Sequence, residues 1–244
     1  MIRRYIKNIL QWLHFDVTKN MRYDRYTTRV MQATLSRTSN CVDIGAHQGE
    51  LLKEILRIAP QGQHFAFEPL PHLYKKLQET YGDRVQLHAD ALSDCSGEDV
   101  FHHVVDAPAY SGLKKRDYDH RDPDIMQIPV SKNTLDALIK STTKIDFIKI
   151  DVEGAEMEVL RGAKNLIARD QPLIIFEFGK GASDHYQATP EDLYNLLCAD
   201  LKMALYTLRG WLDQKKSISL EQITKYYESG QEYYFLATKQ ESRL

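Results

Sequence analysis

Five short, largely apolar runs along the chain each end in a carboxylate. Separated by helix-length segments, they cover residues 41–43, 65–68, 87–90, 148–151 and 174–177. Runs rich in Val, Ile and Phe are typical of strands that lie inside a parallel sheet and are buried on both faces. Because the carboxyl ends of parallel strands meet at one edge of a sheet, we predict an α/β fold with an acidic edge.

The remaining pattern extends this sheet. Residues 203–208 and 233–237 predict two late strands with no convincing helix between them, which favours an antiparallel edge on the parallel sheet. Residues 99–105 and 126–130 predict two further strands on either side of a polar insertion. The predicted helices cover residues 23–35, 49–58, 71–77, 155–168 and 189–199.

No internal repeat, low-complexity tract or Gly/Ser linker divides the chain. We therefore predict a helical extension over residues 1–39 and one α/β domain over residues 40–244. Within the extension, Ile2, Ile6, Ile9 and Leu13 recur at helical spacing with Arg and Lys among them. A basic amphipathic helix can lie on an anionic membrane or pack against protein, so peripheral membrane contact and dimerisation through residues 1–14 both stay open.

Composition narrows the class of protein. The chain has 244 residues and a formal net charge of −2, without the basic excess that nucleic-acid-binding domains carry. Its three cysteines are scattered and lack a C-x-x-C spacing, which disfavours disulfides or zinc and favours a reducing cytoplasm. No apolar stretch approaches the ~20 residues that span a bilayer. We expect a cytoplasmic protein that binds neither nucleic acid nor a structural metal.

The first motif that carries chemistry follows the first strand. Asp43, Gly45, His47 and Gly49 form a strand-to-helix turn whose two glycines let the backbone approach a ligand closely. The G-x-x-x-G spacing differs from the G-x-G-x-x-G of nicotinamide enzymes. Glu68, at the end of the next strand, is placed to accept hydrogen bonds from ribose hydroxyls.

The third strand adds Asp90 and Ala91, which we expect at an adenine edge, although Asp90 is equally explained as a turn cap. An acidic rim of this kind suits S-adenosylmethionine, which carries a sulfonium and an ammonium beside a ribose. The predicted cofactor-binding residues are therefore Asp43, Gly45, His47, Gly49, Glu68, Asp90, Ala91 and Asp151.

The second motif covers residues 147–156 and places three acids at a strand-to-helix turn. Asp151 is expected near the amino end or the sulfonium of the methyl donor, with Lys149 on the same strand face. Glu153 projects from the turn and is a candidate base for a substrate hydroxyl. Glu156 is equally explained as a residue that interacts with the helix dipole.

These motifs together resemble the FkbM family of class I S-adenosylmethionine-dependent methyltransferases. The matching segments are residues 42–46 (VDIGA), 67–69 (FEP), 91–94 (ALSD), 148–156 (IKIDVEGAE) and 160–163 (LRGA). The resemblance spans about residues 40–178 and implies a Rossmann-like, seven-stranded, mostly parallel sheet with an antiparallel last strand and helices on both faces. Family members mostly methylate hydroxyls of sugars or natural products. The chain departs at His47, where the family more often has Asn.

Other segments supply candidate acceptor-binding residues. Tyr110, Ser111 and Arg116 lie on the polar insertion, whose aromatic, hydroxyl and cationic side chains suit a sugar ring with an acidic group, or simply a solvated loop. Glu177 ends the fifth strand, and His185 follows it as a second candidate base. We expect the late tyrosines, including Tyr234, to pack the edge strands.

The sequence therefore predicts an S-adenosylmethionine-dependent O-methyltransferase that acts on a small molecule or a glycan, with Glu153 or His185 as the base. A natural-product hydroxyl is an alternative acceptor. A nicotinamide-nucleotide oxidoreductase and a non-catalytic binding module are alternatives of other classes. A variant in which acids near Asp151 hold Mg²⁺ also stays open.

Overall fold

The computed structural model describes residues 19–115 and 123–239. The ten strands of these residues, in chain order, are β1 (Cys41–Ile44), β2 (His64–Phe67), β3 (Gln86–His88), β4 (Ala91–Leu92), β5 (Gly97–Val104), β6 (Ile125–Asn133), β7 (Phe147–Ile150), β8 (Leu173–Glu177), β9 (Met203–Thr207) and β10 (Tyr234–Lys239). The α-helices are α1 (Lys19–Thr34), α2 (Glu50–Ile58), α3 (Pro71–Tyr81), α4 (Leu135–Leu138), α5 (Glu156–Gly162), α6 (Lys164–Asp170), α7 (Pro190–Tyr194), α8 (Leu208–Leu212) and α9 (Leu220–Ser229).

Seven strands form the central sheet, in the order β3-β2-β1-β7-β8-β10-β9. The pairs from β3 to β8 are parallel, and β10 pairs antiparallel with both β8 and β9. The predicted seven-stranded sheet with an antiparallel last strand is therefore confirmed. The antiparallel strand is not at the edge, however, because β10 inserts between β8 and β9.

The expectation that no helix joins the two late strands was wrong. Both α8 and α9 lie between β9 and β10. The pattern was weak because α9 buries only Ile223 and Tyr227, which form a narrow apolar stripe. The start of α9 is instead fixed by a capping box in which Ser219 and Gln222 satisfy each other's backbone amides.

Helices cover both faces of the sheet. One apolar cluster contains Val30 of α1, Ile55 of α2 and Leu208 of α8. The other contains Leu160 of α5 and Ile223 of α9. The described part of the predicted N-terminal extension therefore packs on the α/β domain. Residues 1–14 lie outside the described residues, so their membrane or dimer role stays a prediction.

A second, three-stranded sheet with the order β4-β6-β5 stands beside the central one. Its long hairpin accounts for the two strands predicted on either side of the polar insertion, and Phe101 and Val130 pack it onto Leu70 and Leu73. The predicted helix over residues 155–168 is divided into α5 and α6 at Ala163. Among residues 19–115 and 123–239, no helix has the length and apolarity that crossing a bilayer requires.

Candidate active site

A cleft of about 1050 Å³ opens at the carboxyl ends of the central strands. The sequence-predicted site residues that line it are Asp43, Gly45, His47, Glu68, Asp90, Ala91, Ser111, Asp151, Glu153 and Glu177. Parallel pairing aligns β1, β2 and β7, so residues far apart in sequence reach one rim. The structure thus brings most of the predicted residues together.

The turn after β1 is shaped by close contact with the chain leaving β7. Gly45 has φ +80°, and a Cβ there would lie 1.9 Å from the carbonyl oxygen of Asp151. The amides of Gly45 and Ala46 both donate to the carbonyl oxygen of Phe67, at 3.0 and 3.1 Å. Only glycine fits this approach, which holds the β1 turn, Glu68 and Asp151 around one opening.

Glu68 is buried, with 5% of its surface exposed. Its Oε2 accepts the amide of His47 at 2.8 Å and its Oε1 accepts the amide of Leu70 at 3.0 Å. Burial raises the pKa of Glu68 to about 7, against the opposing effect of these two hydrogen bonds. Each oxygen retains a further lone pair, so the carboxylate can also accept two ligand hydroxyls.

Asp43 is 3% exposed, and its Oδ2 has no hydrogen-bond partner among the described residues. Burial raises its pKa to about 7; Lys149 opposes this shift, and Asp151 and Glu68 add to it. A buried polar atom without a partner costs free energy. A cationic or hydrogen-bond-donating ligand in the cleft would supply the missing partner.

Asp151 lies at the centre of a charged network. It accepts hydrogen bonds from Lys149 Nζ at 2.8 Å and from the Tyr234 hydroxyl at 2.6 Å. The surrounding protein disfavours its charge, but Lys149, Tyr234 and a hydrogen bond from Glu177 together lower the pKa of Asp151. Burial and the neighbouring Asp151 raise the pKa of Glu177 well above its ordinary value, which favours the protonated form that can donate this hydrogen bond.

The turn between β7 and α5 has a strained backbone, and a buried carboxylate holds two of its amides. Glu153 has φ +58° and Gly154 has φ +113°, which places two consecutive residues in the left-handed region. The Oε1 atom of the fully buried Glu156 accepts the amides of Val152 at 3.1 Å and Gly154 at 3.2 Å. Glu156 therefore holds the turn that carries Glu153 to the cleft.

The adenine-side candidates are also fixed in place. Asp90 accepts a hydrogen bond from Asn133 Nδ2 at 2.7 Å. His88 stacks on Phe67 with 4.8 Å between ring centroids, beside the rim. Burial lowers the pKa of His47, so this imidazole is neutral at pH 7 and its ring does not add a positive charge.

Several predicted residues do not reach the cleft. Gly49 is buried, and a Cβ there would meet the Tyr81 ring at 2.6 Å, which makes it a packing glycine. Tyr110 is 49% exposed on the insertion, and Arg116 lies outside the described residues. His185 belongs to a short 3-10 helix, Ser183–Tyr186, and is not among the residues that line the cleft. Ser111 lines the cleft, but its Oγ also accepts the Val104 amide at 3.0 Å.

The structure also adds lining residues that sequence reasoning missed. Tyr234, expected to pack an edge strand, reaches the cleft and contacts Asp151. Helix α1 contributes Asn20, Tyr23, Asp24, Thr27 and Thr28. No local signal identifies these residues, because an amphipathic pattern reveals the buried side of a helix and not a polar side turned to a cavity.

The strand order, with an antiparallel strand inserted before the last position, is that of the class I methyltransferase fold, and the acidic rim lies at the carboxyl ends of its strands. The profile of the FkbM methyltransferase domain family matches residues 43–203, which include most of this rim. The chain belongs to the FkbM methyltransferase domain family.

Known proteins resemble this chain to different extents. It is 30% identical over 142 residues to 2-O-methyltransferase NoeI of Sinorhizobium fredii (strain NBRC 101917 / NGR234), covering 52% of this chain and 58% of NoeI. It is 20% identical to the FkbM methyltransferase structure from Methylobacillus flagellatus KT, covering 68% of this chain and 38% of that one, with a TM-score of 0.46. It is 12% identical to an O-methyltransferase from Bacillus cereus in complex with SAH, covering 92% and 83%, with a TM-score of 0.49. The chain thus spans little more than half of the curated relative.

Proposed function

We propose that this methyltransferase transfers the methyl group to a hydroxyl of a sugar, in a free saccharide or a glycan, with Glu153 as the base. The observation that carries the proposal is the position of Glu153 on a strained turn at the cleft, two residues after the ionised Asp151. The 2-O-methyltransferase NoeI supports an oxygen acceptor.

The rim fits the cofactor. Glu68 would hold the two ribose hydroxyls, and Asp90 with the Ala91 backbone would meet the adenine edge. The unpartnered Oδ2 of Asp43 would receive a positively charged part of the ligand. The close approach at Gly45 leaves backbone rather than side chain against the bound group. When bound, S-adenosylmethionine supplies a methyl group on a sulfonium, which is a good leaving group.

The protein's own contribution is alignment and proton removal. Methyl transfer forms a C–O bond, breaks an S–C bond and releases the hydroxyl proton, which the Glu153 carboxylate accepts. Holding the hydroxyl in line can lower the barrier by about 7–11 kcal/mol. A positioned base adds roughly a hundred- to ten-thousand-fold in rate. His185 stays a predicted base, but its place outside the cleft favours Glu153.

The charge of the cleft favours a neutral acceptor. Among the described residues, nine acids and two lysines line it. The acids are Asp24, Asp43, Glu50, Glu54, Glu68, Asp90, Asp151, Glu153 and Glu177. Although some of these acids are protonated near pH 7, an anionic sugar would meet a largely acidic wall. A neutral saccharide avoids this repulsion.

The test is a methyl-transfer assay with labelled S-adenosylmethionine and matched neutral and carboxylated saccharides. We expect product from the neutral set and a loss of a hundredfold or more in kcat for Glu153→Gln, with cofactor affinity by calorimetry unchanged. Glu158→Gln is the matched control, because Glu158 lies outside the cleft and its replacement retains an oxygen acceptor for Ser93. Full turnover by Glu153→Gln would refute the base assignment. Failure of the wild type to methylate any of these saccharides would refute the acceptor class, and equal turnover of the carboxylated set would refute the preference for a neutral acceptor.

A further inference from the structure

The cleft extends beyond the strand ends that form the proposed cofactor rim. Its volume, about 1050 Å³, is at the upper end of the ~300–1,000 Å³ that pockets for one small ligand usually measure. The lining continues beyond the strand ends to helix α1, which contributes Asn20, Asp24, Thr27 and Thr28. Lys53 of α2 also lines the cleft. A second molecule therefore has room beside the cofactor.

The α1 wall, the part of the lining that helix α1 contributes, has polar side chains of several kinds. Asn20 carries an amide, Asp24 a carboxylate, and Thr27 and Thr28 carry hydroxyls. Together they provide both hydrogen-bond donors and acceptors over a short surface. A sugar ring presents hydroxyls that donate and accept in several directions, so it matches such a wall. An apolar aromatic acceptor would leave these polar groups unpaired.

The wall is held rigidly at the end of the sheet. The Tyr233 hydroxyl donates to Asn20 Oδ1 at 2.6 Å, and Lys19 Nζ donates to the Gly230 carbonyl oxygen at 2.9 Å. The Tyr23 ring contacts the Tyr234 ring with 4.9 Å between centroids. Since the Tyr234 hydroxyl contacts Asp151, the α1 wall is joined by direct contacts to the proposed reaction centre.

The α1 wall also lies outside the part of the chain that the family profile matches. That profile covers residues 43–203, which hold most of the proposed cofactor rim, whereas α1 precedes it. A wall supplied by a segment outside the shared domain can differ between family members while the rim stays the same. This arrangement suits the recognition of an acceptor rather than of the common cofactor.

We propose that the polar face of α1, formed by Asn20, Asp24, Thr27 and Thr28, is the acceptor subsite and binds a neutral, polyhydroxylated sugar ring. The inference rests on the proposed sugar O-methyltransferase function and names the residues that select its substrate. It separates the site into a cofactor half on the strand ends and an acceptor half on α1 and the neighbouring end of α2.

The experiment uses Thr28→Ala with Thr34→Ala as a matched control. Both hydroxyls donate to the carbonyl oxygen four residues earlier on α1, at 3.0 Å for Thr28 and 2.8 Å for Thr34, but only Thr28 lines the cleft. Loss of the helix hydrogen bond is therefore the same in both variants. A second variant, Asp24→Asn, removes the charge from the wall with little change in shape.

Binding is measured by saturation-transfer NMR with a panel of neutral methyl hexopyranosides in the presence of S-adenosylhomocysteine, and turnover with the same panel. We expect roughly a three- to tenfold weaker interaction for Thr28→Ala, seen also as a higher KM. Thr34→Ala should match the wild type, and cofactor affinity and Tm should be alike in all variants.

The outcomes separate the two proposals. If the wild type binds none of these glycosides, or if Thr28→Ala and Asp24→Asn bind them as well as the wild type, the subsite assignment is overturned. If the glycosides bind through α1 but receive no methyl group, the subsite stands and the proposed function fails.

Discussion

Replacing Asp43 by Asn should stabilise the protein at alkaline pH and weaken cofactor binding. Asp43 is 3% exposed and its Oδ2 lacks a partner among the described residues, so its charge is poorly compensated in the ligand-free protein. Asn has nearly the same shape but carries no charge at any pH. The substitution therefore tests whether this rim is tuned for a cationic ligand rather than for stability.

The magnitude follows from the pKa. Burial raises the pKa of Asp43 from 3.8 to about 7. An acid whose pKa is raised in the folded state contributes stability that is fully present below the unfolded-state pKa near 4 and is lost progressively as the pH rises to the folded-state pKa. Between pH 5 and pH 7 the unfolded chain is ionised at this position and the folded protein is not. The free energy of unfolding should thus fall by about 1.4 kcal/mol per pH unit, or about 3 kcal/mol in all.

The assay is urea unfolding of the wild type and of Asp43→Asn at pH 5 and pH 8. The difference in free energy of unfolding should shift by about 3 kcal/mol in favour of the variant as the pH rises. Other titrating groups are common to both proteins and cancel in this difference. Calorimetry at pH 8 should show that the variant binds S-adenosylmethionine at least tenfold more weakly.

Asp170→Asn is the control. Burial raises the pKa of Asp170, but Arg169 and the Ile145 amide outweigh burial and leave that pKa lowered. Its stabilisation is present above the unfolded-state pKa near 4 and is lost only as the pH falls through its folded-state pKa. The cost of Asp170→Asn should therefore be equal at pH 5 and pH 8. The same pH-independent cost for Asp43→Asn would refute the reasoning.

Three further changes test the network around the cleft. Tyr234→Phe removes the hydroxyl that donates to Asp151 at 2.6 Å, so the free energy of unfolding measured in urea should fall by about 1.5–3 kcal/mol and kcat should fall as well. An unchanged free energy of unfolding and an unchanged kcat would contradict the network. Glu156→Ala should lower kcat with little change in cofactor affinity, and Glu156→Gln should keep part of the kcat that the alanine variant loses, because its side-chain oxygen can still accept the two backbone amides. An equal loss of kcat in both variants would contradict a role of Glu156 in holding the turn. Gly45→Ala should lower both Tm and cofactor affinity, because its Cβ would lie 1.9 Å from a carbonyl oxygen. The control Gly112→Ala, whose Cβ would have no neighbour closer than 3.6 Å, should change neither, and equal effects of the two substitutions would contradict the close approach at Gly45.

The rim could be predicted because its information is local. Each of β1, β2, β7 and β8 is a short buried run, and an acid lies within one residue of each carboxyl end. Parallel pairing then brings Asp43, Glu68 and Asp151 to one edge without any knowledge of loop structure. The same logic predicted the sheet and its antiparallel member.

The α1 side of the cleft, which we propose binds the acceptor, could not be predicted because the residues that position it are far apart in the sequence. Asn20 is positioned by Tyr233, 213 residues later in the chain, and α1 shows only its buried face in the sequence pattern. His185 does not line the cleft, and this too depends on a contact between segments that are distant in the sequence. The buried Tyr186 next to it accepts the Lys114 amide at 2.9 Å, which fixes that segment against the insertion.

The acids of the rim cannot be told apart in the sequence, whereas in the structure their pKa values differ. Lys149 and Tyr234 keep Asp151 ionised, whereas burial raises the pKa of Asp43 and Glu68 to about 7 and raises that of Glu177 well above its ordinary value. A cationic ligand favours the ionised forms, so its binding should release protons and should weaken as the pH falls below 7. Because Asp151 is already ionised while Asp43 and Glu68 titrate near neutrality, the cleft avoids the repulsion of a fully charged rim. In the proposed function, the positive charge of the methyl donor would favour ionisation of the remaining acids and so strengthen its own binding.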